Sequence, residues 1–261
     1  MKLLIKAFIL IMFLAYLTFT LGDIQTLNAG LREDLGLIAL WTLDEETIKG
    51  NIVEDESGDF PGTITGNPKV IPGAIGDALS FDGQMDLIRM TNDIFFPAVS
   101  MEAIIKPVLG TRNPIYDKYN YGIQLLDSDQ VGIWIRADTQ DTAKQWISAY
   151  TPFPKDRQWH HVVGIAEDQK NVRIYLDGKL KATTPAPDSI SMAYGAQVKP
   201  SIAYTQHMNG IWYEGDIDEV AIYEGALSDD DVNRLYAGAL TVQPKSKLAN
   251  LWGKIKQAKT Q

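Results

Sequence analysis

The chain has 261 residues, 45% hydrophobic and 22% charged, with 21 glycines, 12 prolines and no cysteine. That is enough to bury the core of one large domain, with no disulfide framework to support it. All 33 acidic side chains lie between residues 23 and 244. The 24 basic ones, less two near the N-terminus and five after Pro244, leave 17 there, a net charge of −16 that makes nucleic acid a poor partner.

Lys2 and Lys6 precede an apolar run from Ala7 to Leu21. Its length suits a signal-peptide core and is short for a membrane span, so residues 1–22 read as an export signal, or as an N-terminal anchor if left uncut. Thr20 and Gly22 are small enough for a cut before Asp23. Asn-x-Ser/Thr sequons are missing, which fits bacterial export better than eukaryotic secretion. Residues 23–35 form a polar linker.

From Gly36 the pattern is that of strands. Gly36 to Trp41 opens the domain, followed by acidic loops at Asp44–Glu46 and Asp55–Asp59. Asp82-Gly83 turns a hairpin, and Val99, Met101, Ala103 and Ile105 alternate with polar residues up to Pro107. Shorter runs at 115–119, 121–126, 131–136 and 145–150 are separated by turn residues every eight to twelve positions, the rhythm of an all-β sandwich.

The most informative stretch is Trp159 to Leu180. Trp159, His161, Val163 and Ile165 share one parity, Val172, Ile174 and Leu176 another, and Asp177-Gly178 is a tight-turn dipeptide that returns a third strand. Such a meander needs a second sheet over its apolar face. Further strands are expected near 198–204 and over Asp216–Tyr223. Ser228 with Asp231 makes a capping box for one short C-terminal helix carrying Val232, Leu235 and Tyr236. Beyond residue 240, Leu248, Leu251, Trp252 and Ile255 stand at helical spacing among lysines, a basic amphipathic tail spanning 241–261.

Trp-His-His-Val followed by Ile-Tyr-Leu-Asp-Gly resembles the signature hairpin of laminin G-like domains of the concanavalin A-like lectin and glucanase superfamily. Three more segments resemble it in the same order: Ile38–Asp44, Gly76–Gly83, and Gly215–Tyr223 with Ala226-Leu227-Ser228. The resemblance implies one domain over 36–240, a two-sheet antiparallel jelly-roll sandwich with a short C-terminal helix. It also implies a structural calcium between the N-terminal segment and the final strand. Asp44 and Asp218 would be its carboxylate ligands, with Asp55 or loop carbonyls completing a shell of six to eight oxygens.

Glu214, Asp216 and Glu219 resemble the catalytic strand of laminarinase-type endoglucanases, where retaining chemistry needs two carboxyls about 5 Å apart. In that family, however, the motif lies mid-chain on a cleft strand, whereas here it occupies the last strand. For sugar binding, rings flanked by polar groups are the expected chemistry. Trp146, Tyr150, Tyr119 and Trp212 are the candidate ligand contacts, with Tyr121 and Tyr213 beside them and Asn120, Gln145 and Asn209 as polar partners. Packing in the core or at its rim is the competing role for each ring. His160 and His161 point to opposite faces of one strand, so one is expected in the core and the other exposed.

The expectation is therefore a secreted or cell-surface, non-catalytic module that recognises extracellular carbohydrate or a glycoprotein. A glycan-active hydrolase or lyase and a protein-protein adhesion module are the alternatives. Contact with a membrane is expected only through an uncut N-terminal segment or an anchoring tail.

Overall fold

The computed structural model describes residues 31–241 except 95, 142–144, 192–193, 195–196 and 208–209. The N-terminal apolar run, Asn209 and most of the basic tail lie outside the described residues. A helical turn at 31–34 leads into β1 (Leu37–Trp41). A single 3-10 turn, Glu45–Thr47, is followed by β2 (Ile48–Lys49), β3 (Ile52–Val53), β4 (Gly62–Thr65), β5 (Lys69–Pro72), β6 (Asp77–Asp82) and β7 (Leu87–Met90). The middle of the chain forms β8 (Val99–Pro107), β9 (Asn113–Asp117), β10 (Tyr121–Leu125), β11 (Gln130–Arg136) and β12 (Trp146–Pro152). The meander is β13 (His160–Glu167), β14 (Asn171–Leu176) and β15 (Lys179–Pro185). It is followed by β16 (Ser201–Ile202), β17 (Tyr204–Thr205), β18 (Ile211–Trp212), the long β19 (Glu214–Glu224) and helix α1 (Asp229–Thr241).

These strands make two packed antiparallel sheets, the expected jelly-roll sandwich. One runs β15-β14-β13-β8-β19-β6-β5, with β1 also on β19; the other runs β12-β11-β10-β9-β16-β7-β4-β3-β2. The small β17–β18 hairpin stands apart from both. Between the sheets lie the large buried side chains, among them Trp41, Tyr116, Tyr121 and Ile133, with Val162, Ala166, Val172 and Ile174 from the meander.

The meander departs from the half-buried pattern because both its faces are covered. In β13, Val162 and Ala166 meet the inter-sheet core, while Val163 and Ile165 join Tyr175, Tyr223, Leu227, Val232 and Leu235 in a second cluster. Residues of α1 and of the 31–37 segment roof that cluster. The segment at 31–35 is thus part of the packed body rather than a free linker: Arg32 is buried, and Leu31 and Leu35 pack against the second core.

The reading of the histidines is corrected, for neither is exposed: the roof covers His161 beside Tyr236, while His160 on the other face packs on Phe153. His160 is 9% exposed and bonds Asp177 at 2.8 Å and Asp156 at 3.0 Å; His161 is 3% exposed and bonds Glu102 at 2.9 Å. The capping box of α1 forms as read: the Ser228 hydroxyl donates to Asp231 at 2.6 Å, and the Asp231 N–H donates back to Ser228 Oγ at 3.2 Å. Among the described residues, no helix is long and apolar enough to cross a membrane.

Candidate functional site

The nine-stranded sheet carries a patch of rings on the face turned away from the core. Its register explains why. Arg136 stands opposite Trp146, Trp134 opposite Ser148 and Gly122, and Gly132 opposite Tyr150 and Gln124. Cross-strand partners share a face, so these residues form one surface while Ile123, Ile133, Ile135 and Ala149 fill the other side.

Two glycines let the rings lie down on the sheet. A Cβ at Gly132 would fall 2.2 Å from the Ala149 carbonyl oxygen and 2.3 Å from Tyr150 Cδ1. One at Gly122 would sit 3.1 Å from the Trp134 ring. Without those methyl groups, Trp134 and Tyr150 cover bare backbone, and the Tyr150 hydroxyl accepts from Gln124 at 2.7 Å.

Loops complete the patch. Tyr119, between β9 and β10, stacks on His207 with centroids 4.1 Å apart and on Tyr194 at 5.3 Å. His207 meets Trp134 and Trp146 edge-on at 5.3 and 5.5 Å, and Trp146 meets Tyr194 at 5.7 Å. Arg136 lies over Tyr194 at 4.4 Å and over Trp146 at 5.0 Å. Trp146 is 47% exposed, which makes it the most open ring of the patch, with the others packed around it.

Tyr119 is held in place against a backbone preference. Its φ of 80° is in the left-handed region, which costs a non-glycine residue on the order of 1 kcal/mol or more. Its N–H donates to Asp117 at 2.7 Å, and His207 Nε2 donates to its carbonyl at 3.1 Å. Burial pushes the Asp117 carboxyl up to about 7 despite hydrogen bonds from Thr205 and the Tyr119 N–H and the nearby charges of Arg89 and Lys118. Burial likewise lowers His207, so it supports the stack as a neutral ring.

The four rings named from sequence divide. Trp146 and Tyr119 share this patch, and Tyr150 continues its face along β12. Trp212 belongs elsewhere: it packs on Tyr204 at 5.4 Å across the β17–β18 hairpin, where Arg89 covers the Tyr204 ring at 5.2 Å. Tyr121 and Tyr213 are core residues, fully buried. Asn120 is also buried, donating to the Ser191 carbonyl at 3.2 Å, while Gln145 donates to the Thr139 carbonyl at 3.4 Å. Sequence reasoning missed Trp134, Arg136, Tyr194 and His207: a shared parity with Gly132 on β11 was the signal available for the first two, and the last two, on irregular loops, carried none.

A second site lies where β19 changes partners. On one edge its first half pairs with β6 and its second half with β1, while β8 runs along the other edge. At the junction the register slips between Asp218 and Ala221, and Glu219 has a φ of 50°. Asp218 Oδ2 accepts from the Ile75 N–H at 2.9 Å, and Asp44 Oδ1 accepts from the Asp77 N–H at 2.6 Å. Both carboxylates thus grip one loop, in which Gly73 and Gly76 leave room: a Cβ would come within 2.5 Å of Asp218 Oδ2 or 2.2 Å of Asp44 Oδ1.

Asp218 Oδ1 is buried without a hydrogen-bond partner. Burial, then the charges of Glu219 and Asp44, raises its carboxyl well above the ordinary range. A buried, unsatisfied oxygen between like charges is the environment a hard divalent cation would relieve, with carbonyl oxygens supplying further ligands. Among the described residues no group of three acidic, histidine or cysteine side chains is placed to hold a metal ion, so such an ion would depend on those carbonyls. Asp55 does not join the pair. Its oxygens accept from the backbone N–H groups of Leu40, Ser57, Asp59 and Phe60 at 2.8 to 3.2 Å and from the Ser57 hydroxyl, which ties the acidic loop to β1.

Behind the bulge, Glu219 points to the helix-covered face and pairs with Arg32 at 2.5 Å. Arg32 also reaches Glu102 at 3.3 Å, and Glu102 accepts from His161 and Tyr223 as well. Burial alone would raise Glu102, but Arg32, His161 and Tyr223 overcome it and lower its carboxyl to about 2. Glu214 and Glu219 do not form a carboxylate pair. Five residues of extended chain separate them by on the order of 15 Å, and Glu214 packs over Gly83 at the other end of the strand.

The double-layered jelly roll with a surface ring patch defines the class, a lectin-like β-sandwich. Residues 97–233 match the laminin G-like family of the concanavalin A-like lectin/glucanases superfamily, just over half of the chain. The chain belongs to that family. The human adhesion G-protein coupled receptor D1 is 25% identical over 103 residues, 39% of this chain but 11% of the receptor. The chain therefore matches only a small part of that curated relative.

Domain 4 of AbnA, an extracellular GH43 arabinanase of Geobacillus stearothermophilus solved in complex with arabinotriose, superposes with a TM-score of 0.61. It is 24% identical, and the match covers 77% of this chain and 98% of that one. The receptor binding domain of botulinum neurotoxin mosaic serotype C/D superposes at 0.57 with 15% identity, over 78% of this chain and 51% of that one. Likenesses at these identities show the fold alone.

Proposed function

We propose that this chain is an extracellular, non-catalytic module that binds carbohydrate on the ring patch of its nine-stranded sheet, with a calcium ion at Asp44 and Asp218 as a structural support. The observation that carries the reading is Trp146, held half exposed on a scaffold of Trp134, Tyr119, Tyr194 and His207. A pyranose presents an apolar C–H face that a fixed indole can cover, and a pre-positioned ring loses little conformational entropy on binding. The extracellular reading rests on the basic and apolar N-terminal stretch and on the extracellular setting of the arabinanase. That enzyme's domain holding arabinotriose is consistent with a sugar-binding role for the sandwich.

The calcium reading rests on the orphaned Asp218 oxygen. When bound, such an ion would neutralise the charge shared by Asp44 and Asp218 and so hold the 73–77 loop against the bulge of β19. In this reading, Glu214 and Glu219 serve the fold rather than hydrolysis.

The test is a glycan array probed with the chain and with Trp146→Ala, each in calcium and in chelator, with product analysis on every hit. Binding without turnover that Trp146→Ala removes is the expected result. Turnover of a hit would replace the reading with the hydrolase one. A blank array, together with capture of an extracellular protein domain, would replace it with the adhesion one.

A further inference from the structure

The proposal concerns what kind of sugar the ring patch takes, and it rests on the reading of that patch as a glycan site. Some basic side chains among the described residues are ion-paired, and most of the others stand exposed to solvent. Arg32, Arg173, Arg234, Lys106, Lys155 and Lys170 each pair with a carboxylate. Among the described residues Arg136, like Arg89 over Tyr204, has no ion-pair partner and lies against rings instead: its guanidinium carbon is 4.4 and 5.0 Å from the centroids of Tyr194 and Trp146, and the side chain is half-buried. Residues 142–144, 192–193, 195–196 and 208–209, outside the described residues, include no aspartate or glutamate.

The side chain is also well placed. Its backbone ends β11, where its N–H donates to the Asn120 carbonyl at 2.6 Å and its Cα stands opposite Trp146. Stacking occupies the flat face of a guanidinium and leaves its N–H edge free for two parallel bonds to a carboxylate. In a body with 33 acidic and 17 basic residues, a half-buried arginine without a carboxylate partner, set beside the most exposed tryptophan among the described residues, points to the charge of the ligand.

We propose that the ligand is an acidic glycan, a chain bearing a hexuronic or sialic acid whose carboxylate is held by Arg136 while a sugar ring lies on Trp146. The acidic body opposes this at long range, but only weakly, because physiological salt screens exposed charges beyond about 8 Å. The local fork decides the preference.

The test is calorimetry on the full chain with two matched pairs of probes: oligogalacturonate against its carboxyl-reduced form, and sialyllactose against lactose. At least one acidic probe is expected to bind tenfold or more tighter than its neutral partner, and the pair that shows the difference identifies the source of the carboxylate. Arg136→Gln should abolish the difference, leaving each acidic probe no tighter than its neutral partner, Arg136→Lys should restore part of it, and Trp146→Ala should weaken both members. Equal affinities within both pairs, or an acid preference that survives in Arg136→Gln, would overturn the inference. If neither pair binds but neutral glycans on the array do, the acidic-ligand inference falls and the carbohydrate reading stands; if no glycan binds, both fall. Comparison of the paired probes on the wild-type chain decides the matter even if a variant fails to fold.

Discussion

Replacing Glu102 with glutamine probes the charged link between the N-terminal segment and the sandwich. Glu102 is fully buried on β8 and accepts from Arg32, His161 and Tyr223. Its carboxyl falls from 4.5 to about 2 on folding, and at about 1.4 kcal/mol per unit this amounts to roughly 3 kcal/mol of stability. Arg32 keeps Glu219 as a partner in the variant, so the loss stays near that figure rather than reaching the ~5 kcal/mol of a wholly stranded buried charge.

The group is depressed on folding, so its contribution is complete above the unfolded value near 4.5 and fades as pH falls toward 2. Urea unfolding of wild type and Glu102→Gln should therefore differ by about 3 kcal/mol at pH 7 and by about 1 kcal/mol at pH 3. A difference below ~1 kcal/mol at pH 7, or one that does not change with pH, would refute the idea that this carboxylate is stabilised by its buried charged partners.

Other consequences can be checked on the same material. If calcium sits at Asp44 and Asp218, saturating it a hundredfold above its dissociation constant adds about 2.7 kcal/mol, a rise of very roughly 5–10 °C in Tm that chelator reverses. An unchanged melting curve would remove the ion from the account. Asp117 is raised on folding, so it favours the folded state below its unfolded value of 3.8 and loses that contribution as pH rises toward about 7. Asp117→Asn should therefore stabilise at pH 8 relative to pH 5, by about 1–3 kcal/mol in thermal or urea unfolding. Gly132→Ala should cost about 1–3 kcal/mol, because the added methyl group meets the Ala149 carbonyl and the Tyr150 ring. A variant as stable as wild type would mean that Tyr150 moves freely.

The fold was legible because its strands alternate and its turns are spelled out: Asp177-Gly178 closes β14 to β15 where expected, both residues with positive φ. What could not be read locally was the second covering layer. His161, Val163 and Ile165 look like a solvent-facing or core-facing set until α1 and Arg32 arrive from opposite ends of the domain to bury them. Asp44 and Asp218, singled out on the family resemblance, reach one loop because they follow or occupy strands that pair at the two ends of the domain, whereas Asp55 satisfies its own loop, which acidic spacing alone does not reveal. Half of the ring patch was legible. Trp146 and Tyr119 stood out as aromatic residues near loops, but Tyr194 and His207 reach the patch only through the path of loops with no periodicity, and Arg136 gains meaning only once its ring neighbours and missing partner are known.

The most direct test of the proposed sugar site is a proton–nitrogen spectrum of the six tryptophan indole N–H groups, recorded while a glycan hit is titrated in. Trp146 should shift most, with Trp134 beneath it following, while Trp41 in the core and Trp212 on the separate hairpin stay still. Saturable shifts confined to Trp212, or binding that moves neither Trp146 nor Trp134, would contradict the account and place the site elsewhere on the sandwich.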